Sequence, residues 1–405
     1  MFDSHSGGFE AGSTLQYDAL STRIVSRSIA LGTPVIHVAM NYRVSAFGFL
    51  ASKEVQAEGL GNFGLNDQRV ALRWVNKYIK SFGGDPKKVT IWGQSAGAIS
   101  ASLQMLAFGG KNEGLFRGAF MQSGAPVPVG NMAGGQKYYD KLVADAGCAN
   151  AACGTLECLR TVPLATLQAA INKSPNYLSY EGLSLAWGPR VDGTFLTELP
   201  YNAVKKGKVA NVPFVTGNVD DEGTLFSSAQ GNVSTDADFK SYIKTVWLPK
   251  ALEPELAPLW ASYPDDSTKG SPFDTGSANQ IYGQYKRVAA FQGDSAFQSP
   301  RRYFQQQLSG KTKMWTYLSK KLKTASAFGS YHGSDIDTAL MDDYIINFTV
   351  NLNPNGASGN VWPQYSNASP NVYTFTDTAG PAVIPDKFRT DGFSALITLS
   401  SKYPS

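Results

Sequence analysis

The sequence predicts an α/β fold, a mostly parallel, doubly wound central sheet flanked by helices. Three observations predict it. β-type and helical patterns alternate through the first half of the chain, and they do so at the lengths of strand–helix–strand units. Hydrophobic residues make up 42% of the chain against 17% charged, which suits a sizeable globular core.

The first element is Thr33–Arg43 (TPVIHVAMNYR), rich in Val and Ile and expected as a buried strand. Residues 66–82 follow as an amphipathic helix. Ala71, Trp74, Val75, Tyr78 and Phe82 share its apolar face, and Arg73, Asn76, Lys77 and Lys80 lie off it. Gly83-Gly84-Asp85-Pro86 ends this helix, since Gly and Pro both disfavour continuation. Val89–Trp92 is the second strand, followed by a Gly-flanked turn, a small-residue helix from Ala96, and a third strand at Gly118–Gln122. Residues 130–210 read as mostly helical with loops. Val212–Gly217 and Met314–Leu318 read as further short strands, and 235–310 between them as largely helical and aromatic-rich. Lys311 to Lys323 interleaves Trp315 and Tyr317, and reads as a strand with a solvated flank rather than a nucleic-acid patch. With no internal repeat, low-complexity tract or clear linker, one domain over 1–405 is expected.

Bulk properties narrow the function. A formal net charge of +4 gives no reason to expect nucleic acid or an acidic membrane surface as partner. No apolar run approaches the ~20 residues of a transmembrane helix. Met1-Phe2-Asp3-Ser4-His5 lacks the n- and h-regions of a signal peptide. Cys148, Cys153 and Cys158 have no neighbouring His or fourth Cys to complete a metal site, so one small disulfide loop and one spare thiol are expected. Sequons at Asn172, Asn232, Asn347 and Asn367 also suit an oxidising compartment.

Gly93-Gln94-Ser95-Ala96-Gly97 is a G-x-S-x-G turn between a predicted strand and a predicted helix, the setting in which that motif carries a nucleophile. Small flanking residues permit a tight turn that lifts the serine oxygen above the sheet, with the Ala96 N–H directed at the same place. A serine hydroxyl needs a base, and the chain has only three histidines. His37 lies in an apolar strand and is a core residue. His5 precedes Gly7-Gly8 and suits an oxyanion loop, His5-Ser6-Gly7-Gly8-Phe9, whose glycine amides would meet developing negative charge. His332, in the loop after the 314–318 strand, is the base by elimination. The acid of such a triad falls between Ser and His in sequence, and Asp220-Asp221-Glu222-Gly223 stands there; spacing leaves its three carboxylates open.

Phe82-Gly83-Gly84-Asp85-Pro86, Val89-Thr90-Ile91-Trp92 and Gly93-Gln94-Ser95-Ala96-Gly97 together resemble the serine active-site pattern of the type-B carboxylesterase/lipase family, which has the α/β-hydrolase fold. Asn41-Tyr42-Arg43, Asn66-Asp67-Gln68-Arg69 and Met121-Gln122-Ser123-Gly124 also match it. Asp221-Glu222-Gly223-Thr224, Gly270-Ser271-Pro272-Phe273-Asp274-Thr275-Gly276 and Arg301-Arg302-Tyr303-Phe304 are similar to the secreted fungal lipase and sterol esterase branch. The resemblance implies Glu222 as the acid, a Cys148–Cys158 disulfide, a secreted ester hydrolase, and a possible lipid–water interface. Gln94 stands where the family commonly has Glu, and Ser6 where it has Gly.

Only four residues precede His5, where family members carry early strands and a lid. The expectation is therefore an N-terminally truncated domain with a strand missing at the centre of its sheet. The function expected is hydrolysis of an acyl ester, small-molecule or lipid, through an acyl-enzyme on Ser95, with no metal or cofactor required. The alternatives are a non-catalytic interaction module of the same fold and an inactive truncated product.

Overall fold

A computed structural model describes residues 1–356 and 360–404. Among the described residues eight strands form one sheet, ordered β2-β1-β3-β4-β5-β6-β7-β8. They are β1 (Phe2–Ser4), β2 (Val38–Met40), β3 (Thr90–Gln94), β4 (Gly118–Gln122), β5 (Phe214–Val219), β6 (Met314–Lys320), β7 (Asn371–Thr376) and β8 (Ala382–Pro385). All neighbours run parallel except β7 and β8. Parallel strands need crossovers, and helices supply them, which produces the alternation seen in the sequence.

Alternate residues of the central strands enter opposite cores. Ile91, Ala119, Phe214 and Met314 pack on one face, and Trp92, Phe120, Val215 and Trp315 on the other. A third core joins Phe239, Tyr242, Leu256 and Phe291 to Leu396 and Leu399 of the helix Thr390–Lys402.

Several sequence expectations change. The strand expected over Thr33–Arg43 shrinks to β2, which is the sheet's edge and only half-buried, because among the described residues nothing pairs with its outer side. The gap expected at the sheet's centre is absent. Phe2–Ser4 pairs with Val38–Met40 on one side and Ile91–Gly93 on the other, so three extended residues complete both ladders. Neither β7 nor β8 was legible. In the 311–323 stretch Lys311 and Lys313 are exposed, as a solvated flank requires, whereas Lys323 turns inward to the buried Asp220 and Asp221 and Lys320 lies between Asp220 and the exposed Asp274.

The amphipathic helix runs over Phe63–Tyr78, with a 3-10 extension through Phe82. Its buried face is rotated from the expected one. Leu65, Gln68, Arg69, Leu72, Val75 and Ile79 point inward, while Trp74 is 46% and Phe82 64% exposed. Two polar residues hold this rotation: Gln68 donates to Ser100 Oγ at 2.9 Å, and Arg69 pairs with Glu113 at 3.0 Å. The aromatic rings pack on one another instead, with Trp74 centred 5.4 Å from Tyr78 and 6.0 Å from Phe82.

Cys148 and Cys158 form a disulfide, and Cys153 is free and exposed. Asn172, Asn232 and Asn367 are exposed, while Asn347 lies half-buried in the helix Asp342–Asn351. Among the described residues no helix is long and apolar enough to cross a membrane.

Central β1 buries one carboxylate. Burial pushes the Asp3 carboxyl up to about 8. Burial pushes His37, whose Nε2 stands 3.9 Å away, down to about 4, so the two face each other as neutral groups. Unfolded, Asp3 ionises near ~3.9. The folded chain therefore holds an extra proton between the two values, and the associated stability is present below about 4 and lost as pH rises towards 8. Asp3→Asn copies the neutral acid without titrating. Its melting temperature should climb relative to the parent across that window, by roughly 2 °C or more at the alkaline end. Melting curves that stay parallel from acid to alkaline pH would refute this.

Candidate active site

Ser95 sits in the turn from β3 into the helix Ala96–Gly110, at φ 56° and ψ −124°. A side chain held at positive φ marks a strained turn. The strain comes from close approach below it. A Cβ on Gly97 would stand 1.9 Å from the Ser4 carbonyl oxygen, and one on Gly93 would stand 2.4 Å from the Gly97 carbonyl carbon. Only glycine allows β1, β3 and this helix to converge so tightly. The Ser95 N–H donates to Gln122 O at 2.9 Å, which ties the turn to β4.

The loop leaving β1 carries Gly7 at φ 114° and Gly8 at φ 62°. Gly7 O accepts from the N–H of Glu10 and of Ala11, both at 3.0 Å. Among the described residues neither the Gly7 nor the Gly8 amide donates to the protein. Ala96, at the first helical position, likewise has no intrahelical acceptor for its N–H. The loop is propped by His5, whose ring stacks on Tyr42 at 4.2 Å while Tyr42 Oη donates to His5 O at 2.9 Å. Burial pushes the His5 imidazole down, against the opposing hydrogen bond of its Nδ1 with Ser6 O at 2.8 Å. Tyr177 lies against Gly8, and its N–H donates to Glu10 at 2.9 Å. Burial pushes the Glu10 carboxyl up to about 7.

Glu222 and His332 meet although 110 residues separate them, with Oε2 2.5 Å from Nδ1. The Glu222 side chain is buried, and its other oxygen, Oε1, accepts from Asn218 Nδ2 and the Val219 N–H, both at 3.0 Å. These two donors fix the carboxylate, so Nδ1 of His332 carries the proton towards it and Nε2 presents a lone pair. Phe226 and Phe297 flank the imidazole, with ring centroids 5.0 and 4.6 Å away.

One expected contact is not made. No hydrogen bond joins Ser95 Oγ to His332 Nε2 among the described residues. Gln94 Nε2 stands 3.1 Å from that nitrogen and occupies its lone pair. The remaining acidic candidates turn away from the imidazole: Asp220 pairs with Lys323 at 2.7 Å, and Asp221 accepts the Ser330 N–H at 2.8 Å. His37 lies behind the sheet, edge-on to Trp92 at 6.1 Å. Sequence reasoning missed Phe226, Phe297 and Tyr177, which carry no motif of their own. Gln94 was visible only as a departure from a pattern.

Such an arrangement can take a proton from a hydroxyl, stabilise the resulting imidazolium, and offer N–H groups to an oxyanion. Residues 1–340 match the family model described as the carboxylesterase family. The chain is 42% identical to "Lipase 4" of Diutina rugosa, over 98% of its own length and 75% of that protein's. It is 41% identical to "Secreted lipase 1" of Botryotinia fuckeliana, over 98% and 72%. It is 38% identical to "Secreted triacylglycerol lipase LIP1" of Gibberella zeae, over 97% and 70%. The crystal structure of Aspergillus niger EstA superposes with a TM-score of 0.83 at 26% identity, covering all of this chain and 80% of that one.

Proposed function

This chain belongs to the carboxylesterase family, and from that premise we propose that it is a secreted serine hydrolase of acyl esters, with Ser95 as nucleophile, His332 as base and Glu222 as acid. The observation that carries the reading is the 2.5 Å Glu222–His332 contact, with His332 Nε2 3.1 Å from Gln94, the neighbour of a serine held in a strained, glycine-walled turn.

In the acylation step His332 Nε2 exchanges Gln94 for Ser95 Oγ and takes its proton as Oγ attacks the ester carbonyl. Catalytic hydrogen bonds commonly tighten only when substrate binds. Glu222 stabilises the imidazolium. The carbonyl oxygen, now negative, accepts from the Gly7, Gly8 and Ala96 amides, each worth about 10²–10³ in rate if a typical oxyanion donor. The C–O bond to the alcohol then breaks, His332 returns the proton to the departing oxygen, and water repeats the sequence on the acyl-enzyme to release the acid. Lipid esters, triacylglycerols among them, are the substrate class suggested by the relatives' names. The Cys148–Cys158 bond and the exposed sequons at Asn172, Asn232 and Asn367 agree with secretion.

A fluorophosphonate probe tests the reading. It should label the folded chain and fail to label Ser95→Ala. A folded parent that resists the probe and hydrolyses no acyl ester would leave the non-catalytic interaction module as the better account.

A further inference from the structure

Beside Glu222 lies a carboxylate with no part in the chemistry just described. Asp221 is fully buried, and four donors converge on it. Oδ1 accepts from Ser271 Oγ at 3.0 Å and the Phe273 N–H at 2.8 Å. Oδ2 accepts from the Ser330 N–H at 2.8 Å and Lys323 Nζ at 2.6 Å. The backbones meet as well, since the Asp221 N–H donates to Ser330 O at 3.1 Å and Asp221 forms a bridge with Tyr331. Thr224 Oγ1 secures the far end of the same loop by donating to Phe328 O at 2.8 Å. At Gly329 a Cβ would fall 2.3 Å from Asp221 Oδ2, so the loop is drawn in as closely as glycine permits.

We infer that Asp221 is a positioning residue for ester hydrolysis, locking the turn that carries Glu222 and the loop that carries His332 into one register. The inference rests on the Ser95–Glu222–His332 reading. Asp221 precedes Glu222 by one residue, and Ser330 precedes His332 by two. A shift between them is therefore passed directly to the Glu222–His332 contact. A misplacement of about 1 Å in a catalytic group can cost about 10² in rate.

The chemistry asks for a carboxylate rather than an amide. Two acceptor oxygens satisfy two donors each, whereas an Asn would turn its NH₂ towards one donor pair whichever way it faced. Charge is balanced locally. Burial works against the Asp220 carboxylate, but Lys323, Lys320 and Arg389 outweigh it and hold it down to about 2. Burial, then the Asp220 charge, push Asp221 up, and Lys323 opposes both.

The test compares Asp221→Asn with Glu222→Gln and with Asp386→Asn. Asp386 is an equally buried carboxylate, held by Arg301 and Arg302 away from the site. Asp221→Asn should lower kcat by about 10- to 100-fold with KM within about twofold. It should also weaken or move the downfield Nδ1–H proton resonance of His332. Asp386→Asn should lose stability while keeping kcat and that resonance. Thr224→Val covers the case in which Asp221→Asn does not fold, and should give a smaller fall in kcat with KM unchanged. The inference is overturned if folded Asp221→Asn keeps parental kcat and resonance, or if Asp386→Asn loses kcat equally at equal loss of stability. It is overturned too if Asp221→Asn does not fold and Thr224→Val keeps full kcat. Full activity in Glu222→Gln would bring down the triad reading and this inference with it. Loss there beside an unaffected Asp221→Asn removes this inference alone.

Discussion

Glu222→Gln is expected to lower kcat by about 10⁴ while leaving the fold intact. The size follows from how the side chain is held. Asn218 Nδ2 and the Val219 N–H both donate to Oε1, so a Gln at 222 keeps its carbonyl oxygen there. Its NH₂ must then face His332 Nδ1, 2.5 Å from where the carboxylate oxygen stood. Two donors cannot share that line, so the imidazole moves its proton to Nε2. The nitrogen that should accept the Ser95 proton is then already protonated, and the imidazolium has lost its counter-charge. Steady-state kinetics on an activated ester, beside an unchanged melting curve, check this. A folded variant within tenfold of the parent would remove Glu222 from the mechanism.

The second large effect falls on the fold and reaches the chemistry through it. Gly97→Ala places a methyl 1.9 Å from Ser4 O and 3.3 Å from His5 O, two backbone atoms with no rotamer to escape into. β1 is only three residues long and is clamped on both sides by β2 and β3. It must slide, or the helix Ala96–Gly110 must lift. Overpacking of this kind costs about 3 kcal/mol or more. Any β1 movement carries Gly7 and Gly8 with it, so the surviving folded fraction should also lose about 10²–10³ in kcat, as when an oxyanion donor is removed. Urea unfolding and kcat on the same preparation decide it, and parental values for both would contradict the packing argument.

What could be read from the residues was what local chemistry dictates. The strand at Gly118–Gln122, the Gly-walled turn at Ser95 and the helix stop at Gly83 each depend on neighbours in sequence. The rotated face of the Phe63–Tyr78 helix was misread because Gln68 and Arg69 look like surface residues until Ser100 and Glu113 meet them. β1 was overlooked because three residues carry no periodicity; their strand character comes from two neighbours that pair with them. Residues 371–385 were not recognised as strands for a related reason, since Ala382–Pro385 is an exposed edge without an apolar alternation.

By itself, the order of residues determined an α/β sheet, a serine turn after its second legible strand, and three carboxylates among which spacing could not choose, while the family resemblance implied Glu222 and the Cys148–Cys158 bond. Tertiary structure decided the contacts. It set Glu222 against His332 and sent Asp221 to the backbone at Ser330. It also gave the lone pair of His332 to Gln94. The physical reason is range. A turn or a strand is selected by sterics over a few residues, whereas a hydrogen bond across 110 residues exists only after the sheet has set its strands side by side.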